Sequence, residues 1–281
     1  MKTGPDSADG WHAEEVVVER LRAAGCVFAE EEARLLVAEA QTPVALAAMV
    51  DARVAGHPLE QVVGFAEFCG LRIALDPGVF VPRRRTQVLA EQAAALAGAV
   101  GHRPVVVDLC CGSGAVGAAL AAAVGPVELY AVEIDPAAVR CARRNLAGIG
   151  AEVFEGDLYA PLPTAVRGRV DVLVANVPYV PTDAISMMPP EAREHEPRVA
   201  LDGGVDGLHV FRRVVSEAPR WLRQGGSVLV ETSARQAGPA VEALTARGLV
   251  PRVVNDDDLG ATVVVGRLAR AVSWPARGFG V

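Results

Sequence analysis

The sequence has little of several features that would place it in a familiar class. Aromatic residues are only 5% of the 281 residues, and with abundant alanine this indicates a compositional trait, not a function. No N-terminal apolar stretch resembles a signal peptide and no apolar run could cross a bilayer, so we expect a cytoplasmic protein without membrane contact. Cysteines are few, odd in number and without metal-ligand spacing, which predicts free thiols and no metal site. They are Cys26, Cys69, Cys110, Cys111 and Cys141.

Positive charge is also in deficit. Lys and Arg number 27 against 34 Asp and Glu, which gives a net charge of −7. This balance argues against a broad, sequence-independent nucleic-acid surface. A local basic patch remains open, and the run Arg83-Arg84-Arg85 is the candidate.

The chain divides into a helical first part and a longer part in which strands and helices alternate. Three-to-four spacing of apolar residues predicts helices from Trp11 to about His57, and the alternation over residues 65–76 predicts a β-hairpin. We therefore predict an N-terminal domain at residues 1–78 and a second domain at 79–281. The second domain is α/β, with a mostly parallel, doubly wound, Rossmann-like sheet.

Local signals set the expected details of the second domain. Asp206 is predicted to cap a helix that runs to about Leu222, and Gly225-Gly226 is predicted to precede a strand from Ser227 to Glu231. The chain should end in two antiparallel strands, at 251–255 and 262–267.

The most informative segment is Asn176-Val177-Pro178-Tyr179, which directly follows an apolar strand. The Asn176 side chain and the Val177 carbonyl offer neutral hydrogen-bond acceptors, Pro178 stiffens the turn, and Tyr179 offers a flat face. Such a set suits a planar NH₂ group, whose delocalised lone pair makes it a poor nucleophile that must be oriented. The pattern predicts methylation of a planar nitrogen, with most of the rate gain coming from orientation.

A second motif lies upstream and predicts the methyl donor's site. Gly112, Gly114 and Gly117 form G-x-G-x-x-G between a strand and a helix, a pattern that also fits a dinucleotide dehydrogenase. Acidic residues after successive strands favour S-adenosylmethionine instead. Asp108 could meet the ligand's ammonium group and Glu133 its ribose hydroxyls. Asp157 could hold the adenine edge, with Leu158 and Tyr159 packing on the ring; Asp135 is assigned to a helix cap instead.

Together these residues resemble the HemK-type protein-(glutamine-N5) methyltransferases, which modify the Gly-Gly-Gln loop of peptide-chain release factors. The resemblance covers nearly the whole chain and includes the segment Glu196 to Leu208. It implies that Asn176 to Tyr179 grip the substrate glutamine and that the N-terminal region helps recognise a protein partner, with a release factor as the expected substrate. It also implies an S-adenosylmethionine pocket lined by Cys110, Cys111, Gly112, Ser113, Gly114, Glu133, Leu158 and Asn176.

The chain departs from that family pattern in three places. Val177 replaces a proline, and Arg83-Arg84-Arg85-Thr86-Gln87 replaces Arg-Pro-Glu-Thr-Glu. The family's arginine near the last turn is missing at Ala261-Thr262. The departures leave the prediction of methyl transfer unchanged, but they leave the identity of the protein substrate open.

Two alternatives follow from the same residues. A nucleic-acid adenine-N6 methyltransferase shares the Asn-x-Pro-Tyr logic, but it needs a flipped base and a phosphate-binding surface, which the acidic balance disfavours. A catalytically inert cofactor-binding protein that serves a partner is the other, and an intact Asn176 argues against it.

Overall fold

Short runs of β-branched residues build a central sheet that is covered on both faces. The computed structural model describes residues 8–269. Every residue of Val105–Leu109 and of Val170–Ala175 is buried, as expected for strands with helices on both sides. The strands are β1 Phe65–Phe68, β2 Leu71–Ala74, β3 Val105–Leu109, β4 Glu128–Glu133, β5 Glu152–Glu155, β6 Val170–Ala175, β7 Leu222–Thr232, β8 Leu249–Asp256 and β9 Ala261–Leu268.

The helices alternate with these strands after residue 86. In the described residues the sheet has the order β5-β4-β3-β6-β7-β9-β8, parallel from β5 to β7, with β9 antiparallel to both neighbours. The predicted doubly wound α/β fold is confirmed. The helices are α1 Ala8–Ala23, α2 Ala29–Glu39, α3 Pro43–Val54, α4 Leu59–Val63, α5 Gln87–Gly98, α6 Ala115–Val124, α7 Pro136–Leu146, α8 Pro190–His195, α9 His209–Trp221 and α10 Ala237–Thr245.

Each face of the sheet carries its own apolar cluster. Val106 and Leu120 belong to the cluster under α5 and α6, whereas Val107 and Phe211 belong to the cluster under α9 and α10. Alternate residues of β3 therefore belong to apolar clusters on opposite faces of the sheet, because successive side chains of a strand point to opposite faces. None of the helices within residues 8–269 combines the length and apolar character needed to cross a membrane.

The N-terminal helices form a small separate core. Leu21, Ala33 and Leu36 pack together there with no exposed surface, and α3 begins at Pro43, with the Thr42 hydroxyl accepting from the Ala45 N–H at 3.1 Å. The antiparallel hairpin β1–β2 follows, as predicted. The domain boundary near residue 78 stays a prediction.

Two predicted boundaries are wrong, and both depend on tertiary contacts. β7 begins at Leu222, before the glycine pair, because the pairing of β6 with β7 shifts register between Val170 and Val172. A Cβ at Gly226 would lie 2.6 Å from the Val170 carbonyl oxygen, so glycine allows the strand to pass. α9 begins at His209, three residues after the predicted cap Asp206. Asp206 instead accepts from the Leu208 N–H at 3.1 Å in the turn before the helix.

Asn145 on α7 joins the hairpin to the glycine turn. Its Nδ2 donates to the carbonyls of Ala74 and Ser113, each at 2.8 Å, and its Oδ1 accepts from the Ala74 N–H at 2.9 Å. One side chain thus bonds three backbone groups, and of these the Ala74 carbonyl also accepts from Cys141 Sγ at 2.9 Å.

We predict that Asn145→Ala lowers the free energy of unfolding by about 1–3 kcal/mol, because the Ser113 carbonyl and the Ala74 N–H lose this partner and the Ala74 carbonyl loses one of its donors. Urea unfolding followed by circular dichroism measures the change. Arg140→Ala on the exposed side of the same helix is the matched control and should stay near wild type. A loss below about 0.5 kcal/mol for Asn145→Ala would mean that water replaces these bonds at little cost.

Candidate functional site

The carboxyl ends of four parallel strands meet at one edge of the sheet. β3, β4, β6 and β7 end at or beside Asp108, Glu133, Asn176 and Glu231. A cavity with about 1060 Å³ of empty space, partly open to solvent, lies beside this edge. Several predicted site residues line it, namely Cys110, Gly112, Glu133, Asp157, Leu158, Asn176, Val177, Pro178 and Tyr179.

Strained backbone marks two of the lining positions. Cys110 and Leu158 adopt positive φ angles of 55° and 48°, which side-chain-bearing residues rarely occupy. Gly112 has a φ of 55°, and a Cβ there would meet nothing within 4 Å, so glycine leaves the cavity wall open at that point. Unusual backbone of this kind clusters at ligand-binding sites.

Glu133 is the most firmly held carboxylate on the cavity wall. Its Oε2 accepts from the Gly112 N–H at 2.9 Å, and its Oε1 accepts from the N–H groups of Ile134 at 2.7 Å and Asp135 at 3.0 Å. Burial raises the pKa of Glu133, and these three backbone bonds oppose the rise. The Asp135 side chain caps α7 by accepting from the Ala137 N–H, as predicted.

Four predicted cofactor residues lie behind the wall instead of on it. Asp108 is buried and accepts from the Gly117 N–H at 3.0 Å. Cys111 and Ser113 are also buried, and a Cβ at Gly114 would press on Leu146 at 3.0 Å. These residues shape the turn that presents Cys110 and Gly112; direct contact of the four with a ligand stays a prediction.

The far end of the cavity holds an ion pair. Asp157 Oδ2 lies 2.6 Å from Arg213 Nη2, and both residues line the cavity. Leu158 lies beside them, but the expectation that Tyr159 is free to pack on a ligand is wrong. Tyr159 stacks on Trp221 at 5.4 Å between ring centroids and donates to the Val214 carbonyl, because α9 covers it.

Asn176 is oriented by a buried hydroxyl. Its Nδ2 donates to Thr86 Oγ1 at 3.3 Å, and its Oδ1 carbonyl has no partner among the residues that the structure describes. Val177 keeps its side chain in the apolar cluster under α9, at 2% exposure. Val177 also lines the cavity, so the valine that stands at the family's proline position packs in the core at the edge of the site.

Tyr179 is held through its hydroxyl. It donates to Glu231 Oε1 at 2.9 Å, and Arg85 Nε donates to the same oxygen at 3.2 Å. Burial raises the pKa of Tyr179 above its usual range, so the hydroxyl stays protonated and remains a donor. The guanidinium of Arg85 lies 5.7 Å from the centre of the Tyr179 ring.

The Asn176–Tyr179 loop is also held from behind. Gln236 Nε2 donates to the carbonyls of Tyr179 at 2.9 Å and Asp206 at 3.0 Å. A Cβ at Gly203 would lie 2.7 Å from the Pro178 carbonyl oxygen, and one at Gly207 would overlap the Tyr179 carbonyl. These contacts explain why the segment from Glu196 to Leu208 carries so much glycine: it lies directly against the loop.

Sequence reasoning missed Thr86, Glu231, Gln236 and Arg213. Glu231 carries the same signal that identified Glu133, a carboxylate at the end of an apolar strand, and it could have been found that way. Thr86, Gln236 and Arg213 lie outside strand ends, on segments distant in sequence from their partners, and no local pattern marks them.

Known proteins resemble this chain over most of its length. Residues 70–189 match the family model "Methyltransferase small domain". The release factor glutamine methyltransferase of Mycolicibacterium smegmatis is 40% identical, covering 86% of this chain and 87% of its own. That of Geobacter sulfurreducens is 38% identical, covering 78% and 75%. The 4-amino-L-phenylalanine/4-methylamino-L-phenylalanine methyltransferase of Streptomyces pristinaespiralis is also 38% identical, covering 69% and 68%.

Two solved structures show the same fold at low identity. The catalytic domain of hMettl16, in complex with MAT2A 3′UTR hairpin 6, has a TM-score of 0.56 at 15% identity and covers 81% of this chain and 84% of its own. The ribosomal protein L11 methylase of Lactobacillus delbrueckii subsp. bulgaricus has a TM-score of 0.51 at 18% identity and covers 70% and 85%. These two likenesses concern the fold alone.

We predict that Asp108 makes the stability of the protein fall as pH rises. Desolvation raises the pKa of Asp108 to about 7 from 3.8, against the Gly117 bond and with a smaller rise from Glu133. Between about pH 4 and 7 the folded state keeps a proton that the unfolded chain has lost, so this stabilising contribution is lost as pH increases.

Urea unfolding of wild type and Asp108→Asn at several pH values tests this. The free energy of unfolding of Asp108→Asn, relative to that of wild type, should increase between pH 4 and 7 by at most about 1.4 kcal/mol per pH unit. Asp257→Asn, at an exposed turn, is the control and should show no such gain. Parallel pH profiles for wild type and Asp108→Asn would mean that Asp108 is ionised throughout.

Proposed function

The chain belongs to the release factor glutamine methyltransferase family, and we propose that it methylates N5 of a glutamine in a peptide-chain release factor. It is a protein-glutamine N5-methyltransferase by family, with S-adenosylmethionine as its cofactor. The observation that carries the proposal is the Asn176 side chain on the cavity wall, with Nδ2 bonded to Thr86 and Oδ1 without a partner among residues 8–269; we assign this oxygen and the carbonyl of the neighbouring Val177 as the two acceptors. Two neutral acceptors in this place suit the two N–H groups of a carboxamide.

The residues beside the glycine turn fit the cofactor. The wall is open at Gly112, Glu133 presents a carboxylate for hydroxyl groups, and Leu158 presents an apolar surface. Asp157 lies next to Leu158, where a polar edge of the adenine ring would need a partner. When bound, S-adenosylmethionine would supply the methyl group, with its sulfur–methyl bond breaking to leave a neutral thioether and the methylated nitrogen releasing one proton to solvent.

The residues of this chain act mainly by orientation. Asn176 and the Val177 carbonyl accept hydrogen bonds from the target NH₂ and hold its lone pair in line with the donor. Tyr179, fixed through Glu231, packs on the plane of the amide. Well-aligned reactants can gain roughly 7–11 kcal/mol from orientation alone, so no strong base is needed on this proposal.

We further propose that the N-terminal helices recognise the protein substrate in the cytoplasm. Val27 and Phe28, in the turn between α1 and α2, are 84% and 67% exposed, which is unusual for apolar neighbours. An exposed apolar pair suits contact with a folded protein and would be unused by a short peptide.

A small aromatic amine is a second candidate substrate. The relative from Streptomyces pristinaespiralis is named for a 4-amino-L-phenylalanine, whose ring NH₂ is planar like an amide. Arg85 lies beside Tyr179 and stands where the family pattern has an acid. This cation favours the candidate, because a free amino acid carries a carboxylate that could pair with it. Methyl transfer assays with protein, nucleic acid and free amino acid as acceptors separate these possibilities.

Asn176→Ala should lower kcat for the release factor by about 100-fold or more, because the target nitrogen loses its orientation. Radiolabelled methyl transfer measures kcat, and calorimetry measures cofactor affinity, which should stay within a few-fold of wild type. Thr86→Val should give a smaller loss in kcat, and Thr86→Ser should restore it. Retained turnover in Asn176→Ala would rule out this role for the side chain.

Phe28→Ser should lower kcat/KM for the intact release factor by about tenfold, since a buried aromatic contact is worth roughly 1–3 kcal/mol. A short Gly-Gly-Gln peptide should be methylated at the wild-type rate, because it does not reach the N-terminal helices. Val250→Ser, 60% exposed on β8, is the matched surface control. Equal losses for the protein and the peptide would contradict a role in partner recognition.

A further inference from the structure

The three consecutive arginines that follow Pro82 do not form one basic patch. Arg83 pairs with Glu196, whose side chain has 0% exposure. Arg84 is exposed and forms no ion pair within residues 8–269. Arg85 lines the cavity, with its side chain 44% exposed. Arg83 lines the cavity too, with its side chain 29% exposed, but it is paired with Glu196, so Arg85 is the more exposed of the two cations that this run brings to the site.

Arg85 lies close to the groups that hold the target nitrogen. Its guanidinium lies 5.7 Å from the Tyr179 ring centre. The next residue, Thr86, contacts Asn176 through its hydroxyl. Arg85 and Asn176 line the same cavity, so a group attached near the target NH₂ would share that cavity with the guanidinium.

The bond of Arg85 to Glu231 uses one donor of the guanidinium, and the group also bonds the Tyr179 hydroxyl. Arg53, 12% exposed, grips Glu32 through both Nε and Nη2, at 2.6 and 3.2 Å, and this is how a structural arginine binds a carboxylate here. Arg85 uses Nε alone, at 3.2 Å. Glu231 Oε2, although buried, has no partner among the described residues. The paired Nη groups of Arg85 are therefore not spent on Glu231.

A planar anion with two oxygens is the ligand that such a guanidinium fits. Parallel N–H donors match a carboxylate in bidentate geometry. A polyanion suits the site less well, because Glu133, Asp135 and Asp157 line the same cavity.

We propose that Arg85 is a specificity-determining residue that binds a carboxylate carried by the substrate close to the NH₂ that is methylated. The proposal rests on the proposed function and deepens it. The carboxylate belongs either to an acidic residue beside the target glutamine or to a free amino acid, and both offer the same chemistry to Arg85.

Two matched ligand pairs separate these sources. One pair is a Gly-Gly-Gln peptide followed by Asp and the same peptide followed by Asn. The other pair is 4-amino-L-phenylalanine and 4-(2-aminoethyl)aniline, which lacks the carboxylate. Binding is measured by calorimetry in the presence of S-adenosylhomocysteine, and methyl transfer is measured in parallel. Wild type should bind the carboxylate member of one pair about tenfold or more tightly, as expected for a charge-assisted bond.

Three variants test the residue. Arg85→Gln should reduce the preference to about one, and Arg85→Lys should keep part of it. Arg84→Gln, which changes the exposed neighbour outside the cavity wall, should keep all of it. The double variant Arg85→Gln with Glu231→Gln removes the cation without stranding a buried carboxylate, so it reports the same loss of preference if the single variant is unstable.

The outcomes distinguish the two proposals. No carboxylate preference in wild type, or a preference unchanged in Arg85→Gln and in the double variant, overturns the role of Arg85. A preference that depends on Arg85, without methyl transfer to any glutamine, supports this inference and counts against the proposed function.

Discussion

The site depends on the parallel alignment of four neighbouring strands. Parallel strands bring their carboxyl ends to one edge, and in this protein each of those ends carries a polar side chain. Burial next to the sheet would make such groups costly unless each finds a partner. Asp108 finds the Gly117 N–H, Glu133 finds three backbone N–H groups, and Asn176 finds Thr86. The same bonds that stabilise the edge also aim its side chains.

The substrate loop is fixed by close packing as well as by hydrogen bonds. Gln236 holds the Tyr179 carbonyl from behind, and glycines at 203 and 207 let the following segment approach the loop backbone. A loop supported on two sides can lose the proline that the family pattern has at position 177. Val177 compensates by packing in the core, so the rigidity that proline would supply locally comes from tertiary contact.

Adjacent charges in the sequence have different roles in the fold. Arg83 neutralises a buried acid, Arg84 faces solvent, and Arg85 stands over the tyrosine of the site. Their partners, Glu196 and Glu231, come from segments more than 100 residues away. A run of charged residues in the sequence therefore does not predict the charge of this surface, because the fold determines which charged residues form ion pairs.

Local patterns by themselves determined the order and type of the main elements, the glycine turn, and the role of Asp135 as a helix cap. Each of these depends on residues within a few positions of one another, so spacing is enough to identify them. Tertiary structure decided which of the predicted cofactor residues face the cavity, and it placed Cys111, Ser113 and Asp108 behind the wall. It also selected Thr86, Gln236 and Glu231 as partners of the Asn176–Tyr179 loop and moved the start of β7 to Leu222. Those outcomes depend on which distant backbone segments approach one another, and such contacts leave no periodic trace in the sequence.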